Sequence, residues 1–361
     1  MTAMSTKMSA EDVITYLSNP PEHLIGPVVT IKEPAKLSTL THSGTSSLGR
    51  LDSLSLEVLH MILHYLDIRT LSRVSRVSHR GRATVESLPI YRALMKYIPD
   101  VLKALGQCRH LHFYTARMLL DLLRTECCEK CGKFGPYLFL FTGERCCNEC
   151  LVFDKYFRMI TFPKAESNFN LDPGELGQLA SLKTIPGVYR THMVRKSRQR
   201  LKLLHRDEVS QLVKAKEKER LRARLEEEER MRDAGLEIDR VCTLYLSSDS
   251  LDLDEEGGPK EIPEFAGTGV INLPHLKPDN TSEYGHCCKG CEWARLRYYS
   301  NRTIVDVRLL ETPRYKLRSL LWRRSLRAWP KGEFLKHAEE CAGAQQLLFQ
   351  WYRRRRARRM I

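Results

Sequence analysis

The 361-residue chain contains no apolar run approaching the roughly 18 residues a membrane helix requires, so no segment is expected to span a bilayer. The N-terminus, MTAMSTKMSAEDVITYLSNPPEHL, lacks an apolar stretch followed by a small-residue cleavage site, so secretion is not expected. The twelve cysteines should then meet a reducing compartment, where clustered thiols more often bind metal than form disulfides. Missing too are a G-x-S-x-G elbow, a Gly-rich phosphate loop and an H-E-x-x-H helix. These absences point away from catalysis, and the chain is read as a non-enzyme.

Charge is abundant, and its balance is basic: 59 Lys and Arg against 44 Asp and Glu leave a formal charge of +15. That excess suggests anionic partners or a basic tail that keeps the protein soluble. The length allows two or three modest domains, and the pattern reads as mainly α with small β. Residues 1–50, rich in Ser, Thr and Pro, read as a disordered arm with one short helix at Ala10–Leu17. In 51–105, Leu56, Leu59, Leu63, Leu66, Leu71, Val74 and Val77 recur at helical spacing, and Pro89 and Pro99 mark later helix starts. Residues 106–190 hold a cysteine-rich hairpin. They also hold LDPGEL, where Asp172 caps a helix and Leu176, Leu179 and Leu182 form a stripe ended by a turn at Thr184–Tyr189. Residues 191–235 read as one charged helix, running from Met193 to Arg232 for roughly 60 Å, with Leu201, Leu204, Leu212, Leu221 and Leu225 as a broken seam. Residues 236–272 read as a flexible acidic linker, and 273–361 as a second Cys/His module ending in RRRRARRMI.

Two constellations carry metal chemistry. Cys128-x2-Cys131 and Cys147-x2-Cys150 are separated by fifteen residues, the spacing of a two-knuckle zinc site. The intervening YLFLFTGER reads as strand, turn, strand, with Thr142–Gly143 at the tip, and would return the second knuckle to the first. Lys130, Lys133 and Arg145 are placed to offset the net charge of four thiolates around Zn²⁺. Cys127-x3-Cys131 is also geometrically possible; the x2 register is preferred because both halves obey it. The competing reading is a set of buried free thiols. The second set is Cys288-x2-Cys291 with His337-x3-Cys341, forty-five residues apart, which makes a Cys3His tetrahedron or a core histidine among unrelated thiols. Both sets supply four ligands and leave no open position, so two structural zinc ions are expected. Cys108 and Cys242 read as isolated thiols.

The stretch LDSLSLEVLHMILHYLDIRTLSRVSRVSHRGRATV, Leu51–Val85, resembles an F-box. Leu54-Ser55-Leu56-Glu57 stands at the family's Leu-Pro-acidic start, Val58, Leu59, Ile62, Leu63 and Leu66 at its leucine-rich turns, and Leu71, Val74 and Val77 continue it. Ser55 replaces the usual Pro, and Gly81 stands where an aromatic is common, removing a large buried anchor. The order of modules is similar to a group of fungal F-box proteins. The resemblance implies a three-helix module binding the Skp adaptor protein and through it cullin, with the zinc-stabilised remainder recruiting an unknown protein for ubiquitin-dependent degradation. On that reading Leu54, Leu56, Val58, Leu59, Ile62, Leu63, Leu66, Leu71, Val74 and Val77 face the adaptor. Independently, a helical module this small has more leucines than its own core can use, so some should face a partner groove or pack on the zinc modules.

The alternative is a zinc-dependent nucleic-acid-binding or regulatory protein, prompted by the positive charge, the arginine tail and WARLRYYSNR. The tail reads as a nuclear import signal, a phosphate contact or a mate for the acidic run Asp249–Glu256. The expected location is nucleus or cytoplasm.

Overall fold

Short polar side chains at chain turns start several of the helices. In the computed structural model, which describes residues 8–22, 28–29, 46–190, 194–197, 199–233 and 265–358, Ser55 caps Leu56–His64, Asp67 caps Ile68–Val77 and Ser78 caps His79–Ser87. Pro89 and Pro99 open Pro89–Tyr97 and Pro99–Cys108, where a missing N–H costs nothing, and Thr115 caps Ala116–Arg124. The three expected helices are thus the first of a longer helical array. Its core is not private. One continuous set of buried side chains runs from Leu63, Ile68 and Leu71 through Leu94, Leu105 and Leu119 to Tyr137, Phe139, Leu203 and Val270. The leucine-rich helices and the cysteine hairpin are therefore packed as one body.

The hairpin forms as its residues suggest. Tyr137–Phe139 pairs antiparallel with Arg145–Cys146, and Gly143 at the tip takes a φ of +80°, a left-handed conformation that suits glycine. Val270–Asn272 adds a third strand on the other side of Tyr137–Phe139. This corrects the end of the expected linker: Phe265 and Val270 are buried, and 265–272 is part of the sheet and its approach. Residues 236–264, including Cys242 and the acidic run, lie outside the described residues.

The charged helix is shorter than expected. It runs from Arg206 to Asp233, 28 residues or about 42 Å. Upstream, Val194–Ser197 and Lys202–His205 are strands, the latter between Met159–Thr161 and Ser181–Lys183. The reason is burial on two sides. Adjacent Leu203 and Leu204 are both fully buried, one in the main core and the other with Ile160, Ala165, Leu176 and Val209. Neighbours point to opposite faces of a strand, which a helix cannot reproduce. Leu201 and Leu204 therefore belong to no helical seam. Asp172 and Glu175 do form a capping box, but the helix Pro173–Gln178 is short: Leu179 follows its last turn and Leu182 sits in a strand. Thr184–Tyr189 is not a simple turn, since Gly187–Arg190 is a strand paired with Val28–Val29 and Val194–Ser197.

The N-terminal arm is corrected as well. Ser9 and Asp12 form a capping box that opens Ala10–Leu17, as the sequence suggests. The helix is docked, not loose: Leu17 is fully buried, and Ser18–Asn19 pairs with His286–Cys288, which pairs in turn with Ala328–Trp329. Residues 1–7, 23–27 and 30–45 lie outside the described residues. Helices Lys289–Asn301, Arg314–Leu326, Lys331–Glu340 and Ala342–Arg358 complete this end, so the basic tail is helical as far as Arg358. No described helix is long and apolar enough to cross a membrane.

Candidate functional site

The first helices divide their apolar residues between core and surface. Leu59, Leu63 and Leu71 are buried, Leu66 and Val74 lie against the core, and Leu54 and Val58 are half-buried. Leu56, Ile62 and Val77 remain 49%, 43% and 76% exposed. Leu59 and Leu63, one turn apart, hold the helix to its neighbours, so Leu56 and Leu59 do not share an outward face. Met61 and Tyr65, also one turn apart, point outward with Leu51, and the leucine pattern alone did not reveal them. Ser55 acts as the N-cap, a role the usual Pro would not fill. Gly81 is a close-contact residue more than a lost anchor: a Cβ there would lie 2.5 Å from the Val74 carbonyl oxygen. The helix carrying it sits backbone to backbone on the one before, which leaves no room for an aromatic.

The eight expected ligands converge in two groups. Cys128, Cys131, Cys147 and Cys150 bring their sulfurs within 4.8 Å of one another, and so do Cys288, Cys291, His337 and Cys341 with their ligand atoms. Cys131 Sγ lies 3.6 Å from Cys147 Sγ; Cys291 Sγ lies 3.7 Å from Cys341 Sγ and 3.3 Å from His337 Nε2. A zinc–thiolate tetrahedron with bonds of about 2.3 Å has sulfur–sulfur edges of about 3.8 Å, so both groups fit a tetrahedral ion. Cys127 and Cys146 belong to neither, which leaves the x2 register as the one the fold brings together. Cys127 is exposed beside an isolated bridge to Phe134, and Cys146 is buried with its thiol pushed well up by burial. Cys108 is buried and pushed up to about 12 by burial. Within each group the sulfurs hydrogen-bond one another, and those contacts pull some thiols down, Cys128 and Cys131 in the first and Cys341 in the second. They push Cys147 and Cys291 up. Crowding without a cation lets only some of the thiols ionise; a divalent ion would let all of them do so.

The first group is held from outside. Lys133 and Arg323 bind the Glu149 carboxylate at 2.6 and 3.1 Å, and Arg323 lies over the Phe153 ring at 4.0 Å, joining the knuckle helix Asn148–Phe153 to Arg314–Leu326. Lys130 sits 3.5 Å over the Tyr156 ring. Arg145 is buried and donates to the carbonyls of Gly135, Leu122, Leu273 and Pro274, at 2.6 to 2.9 Å from its Nη atoms. The side-chain contacts of Lys130, Lys133 and Arg145 thus go to a ring, a carboxylate and carbonyls. In the second group Trp329 stacks on His337 at 4.1 Å, fixing the ring plane, and Leu17 lines the apolar cluster around Cys288, Cys291 and Cys341.

Residues 51–93 match the F-box domain family. No curated protein and no solved structure matches the chain. The F-box domain supports a general role as an adaptor that binds an Skp protein, and F-box proteins are typically non-catalytic.

Proposed function

We propose that the protein is the substrate adaptor of an Skp–cullin–F-box ubiquitin ligase. It binds the Skp protein through the outer face of residues 51–93 and recruits a target protein through a remainder braced by two structural zinc ions. It has no chemistry of its own and works in the nucleus or cytoplasm. The module order is that of the fungal F-box proteins it resembles. The observation that carries the reading is the F-box match coinciding with a helix whose apolar residues Leu56, Met61, Ile62 and Tyr65 stay exposed among the described residues. Zinc at Cys128, Cys131, Cys147 and Cys150, and at Cys288, Cys291, His337 and Cys341, is supported by the tetrahedral edge lengths and by the closed four-ligand sets.

The test separates face from core. Changing Leu56 and Ile62 together to Ala should weaken Skp binding by about 2–4 kcal/mol, as truncating interface anchors does, with melting temperature and zinc content unchanged. Leu59→Ala should instead cost about 2–5 kcal/mol of stability, because that side chain is internal. Failure of the parent protein to capture Skp at all would sink the proposal. Nucleic-acid binding is the second reading, favoured by the arginines of Ala342–Arg358; steep salt dependence of RNA or DNA binding would promote it.

A further inference from the structure

The far side of the second metal module carries a surface that neither the F-box nor the zinc accounts for. Between Arg295 and Arg327 the chain holds ten cations and two acids. One of those acids, Asp306, is buried and already satisfied by a two-pronged contact from Arg308 and a 3.2 Å contact from Arg324. Helix Arg314–Leu326 contains no acid at all. It lies beside Lys289–Asn301, so the arginines of the two helices converge. Arg318 of one and Arg295 of the other lie over the same ring, Tyr299, at 5.3 and 5.6 Å from its centroid. Leu296, on the first of these helices, is 51% exposed, and Leu310, in the connection between the two, 62%.

The aromatics decide what such a surface can hold. A basic face with free ring planes would suit single-stranded nucleic acid, whose bases stack on them. Here each ring already carries a cation. Tyr299 is covered by Arg295 and Arg318, Arg297 lies over Trp293 at 5.2 Å, and Lys316 lies over Tyr315 at 5.5 Å. The rings steady the cations, and Arg297, Arg314 and Lys316 are exposed beside apolar side chains. Planar guanidinium forks match carboxylates, as the neighbouring Arg308–Asp306 and Arg323–Glu149 pairs show.

We propose that the paired face of Lys289–Asn301 and Arg314–Leu326 docks an Asp/Glu-rich segment of a partner protein, with Leu296 and Leu310 taking apolar residues interspersed in that segment. This rests on the adaptor reading and gives its target-recruiting surface a chemistry.

The experiment uses the full-length zinc-loaded protein, a fluorescein-labelled Glu/Leu peptide and an oligouridine RNA at equal ionic strength. The parent should bind the peptide more tightly than the RNA. Arg297→Gln, Arg314→Gln and Lys316→Gln combined, all at exposed positions, should weaken peptide binding roughly tenfold or more. If the triple variant misfolds, Arg297→Gln with Lys316→Gln, both well exposed, should still weaken binding about threefold. Arg222→Gln with Arg230→Gln, on the solvated charged helix, should leave it unchanged. Tighter binding of the RNA, or no change in the patch variants, overturns the proposal. So does an equal loss in the control, which would mean net charge alone attracts the peptide. Skp capture is read separately on the same samples. Capture with no peptide binding defeats only this inference, whereas absence of capture defeats the adaptor reading.

Discussion

The cluster at Cys128, Cys131, Cys147 and Cys150 draws its four sulfurs from one hairpin segment and the helix after it, whereas the other takes ligands from a strand end and two helix ends and its apolar wall from the N-terminal helix. Cys288 ends a strand that pairs with Ser18–Asn19, His337 and Cys341 close the helix Lys331–Glu340, and Leu17 fills the apolar space behind them. Chain length is not what separates the two. Closing a forty-five-residue gap in place of a fifteen-residue one adds only about 1 kcal/mol of loop entropy. The difference lies in the walls. The first cluster has a local scaffold that zinc could fold almost alone, while the second exists only after distant segments have met.

The largest expected effect in that comparison is metal loss. Structural zinc is worth on the order of 10–16 kcal/mol at neutral pH, so Cys131→Ser and Cys291→Ser should each remove one of two ions, measured by metal analysis. Only Cys291→Ser should also free the N-terminal helix, seen as new proteolysis near Thr15–Asn19; equal cleavage in both variants would erase the distinction. Next comes Arg145→Met, which strands four carbonyls from three segments around the first cluster and should cost about 4 kcal/mol in thermal melting. A neutral result would mean that water replaces the guanidinium and that the scaffold is looser than these contacts imply. Leu17→Ala should cost about 3 kcal/mol and selectively weaken retention of the second ion against a chelator. Loss of the first ion instead would show that the two regions are not separable.

The glycines give the smallest and finest contrast. Gly132, in the first knuckle, has a φ of +68° and open space where a Cβ would stand, so Gly132→Ala should cost only about 1 kcal/mol of backbone strain. Gly290, in the second, has ordinary backbone but would put a Cβ 2.2 Å from the backbone nitrogen of Ala344. There Gly343 brings helix Ala342–Arg358 against Lys289–Asn301. Gly290→Ala should cost about 2–3 kcal/mol and loosen the second ion. Equal melting of the two variants would refute this close approach.

The same contrast explains what could be read in advance. Ala10–Leu17, the capping box at Asp172, the prolines opening two helices and the turn at Gly143 were legible because each is a choice made within a few residues. Both ligand sets were legible from spacing. The strand Lys202–His205 was not, since helix-forming Lys and Leu around it mask a segment buried on both faces. Nor was Val270–Asn272, whose only reason to be a strand is the open edge of Tyr137–Phe139. The partition of apolar residues among Leu56, Leu59 and Ile62 was equally hidden: periodicity marks a helix as amphipathic but does not say which neighbour covers it.

By itself the sequence determined the chemistry and the local geometry: thiols at knuckle spacing, caps, turns, the F-box leucines and the basic excess. The tertiary structure alone decided that residues 8–22 complete the second cluster, that Arg145 binds carbonyls of three segments and that Gly290 and Gly343 touch. Caps and knuckles are settled by hydrogen bonds and ligand bonds between residues close in the chain. Burial and backbone contact depend on which distant surfaces exclude water together, and that is a property of the assembled fold.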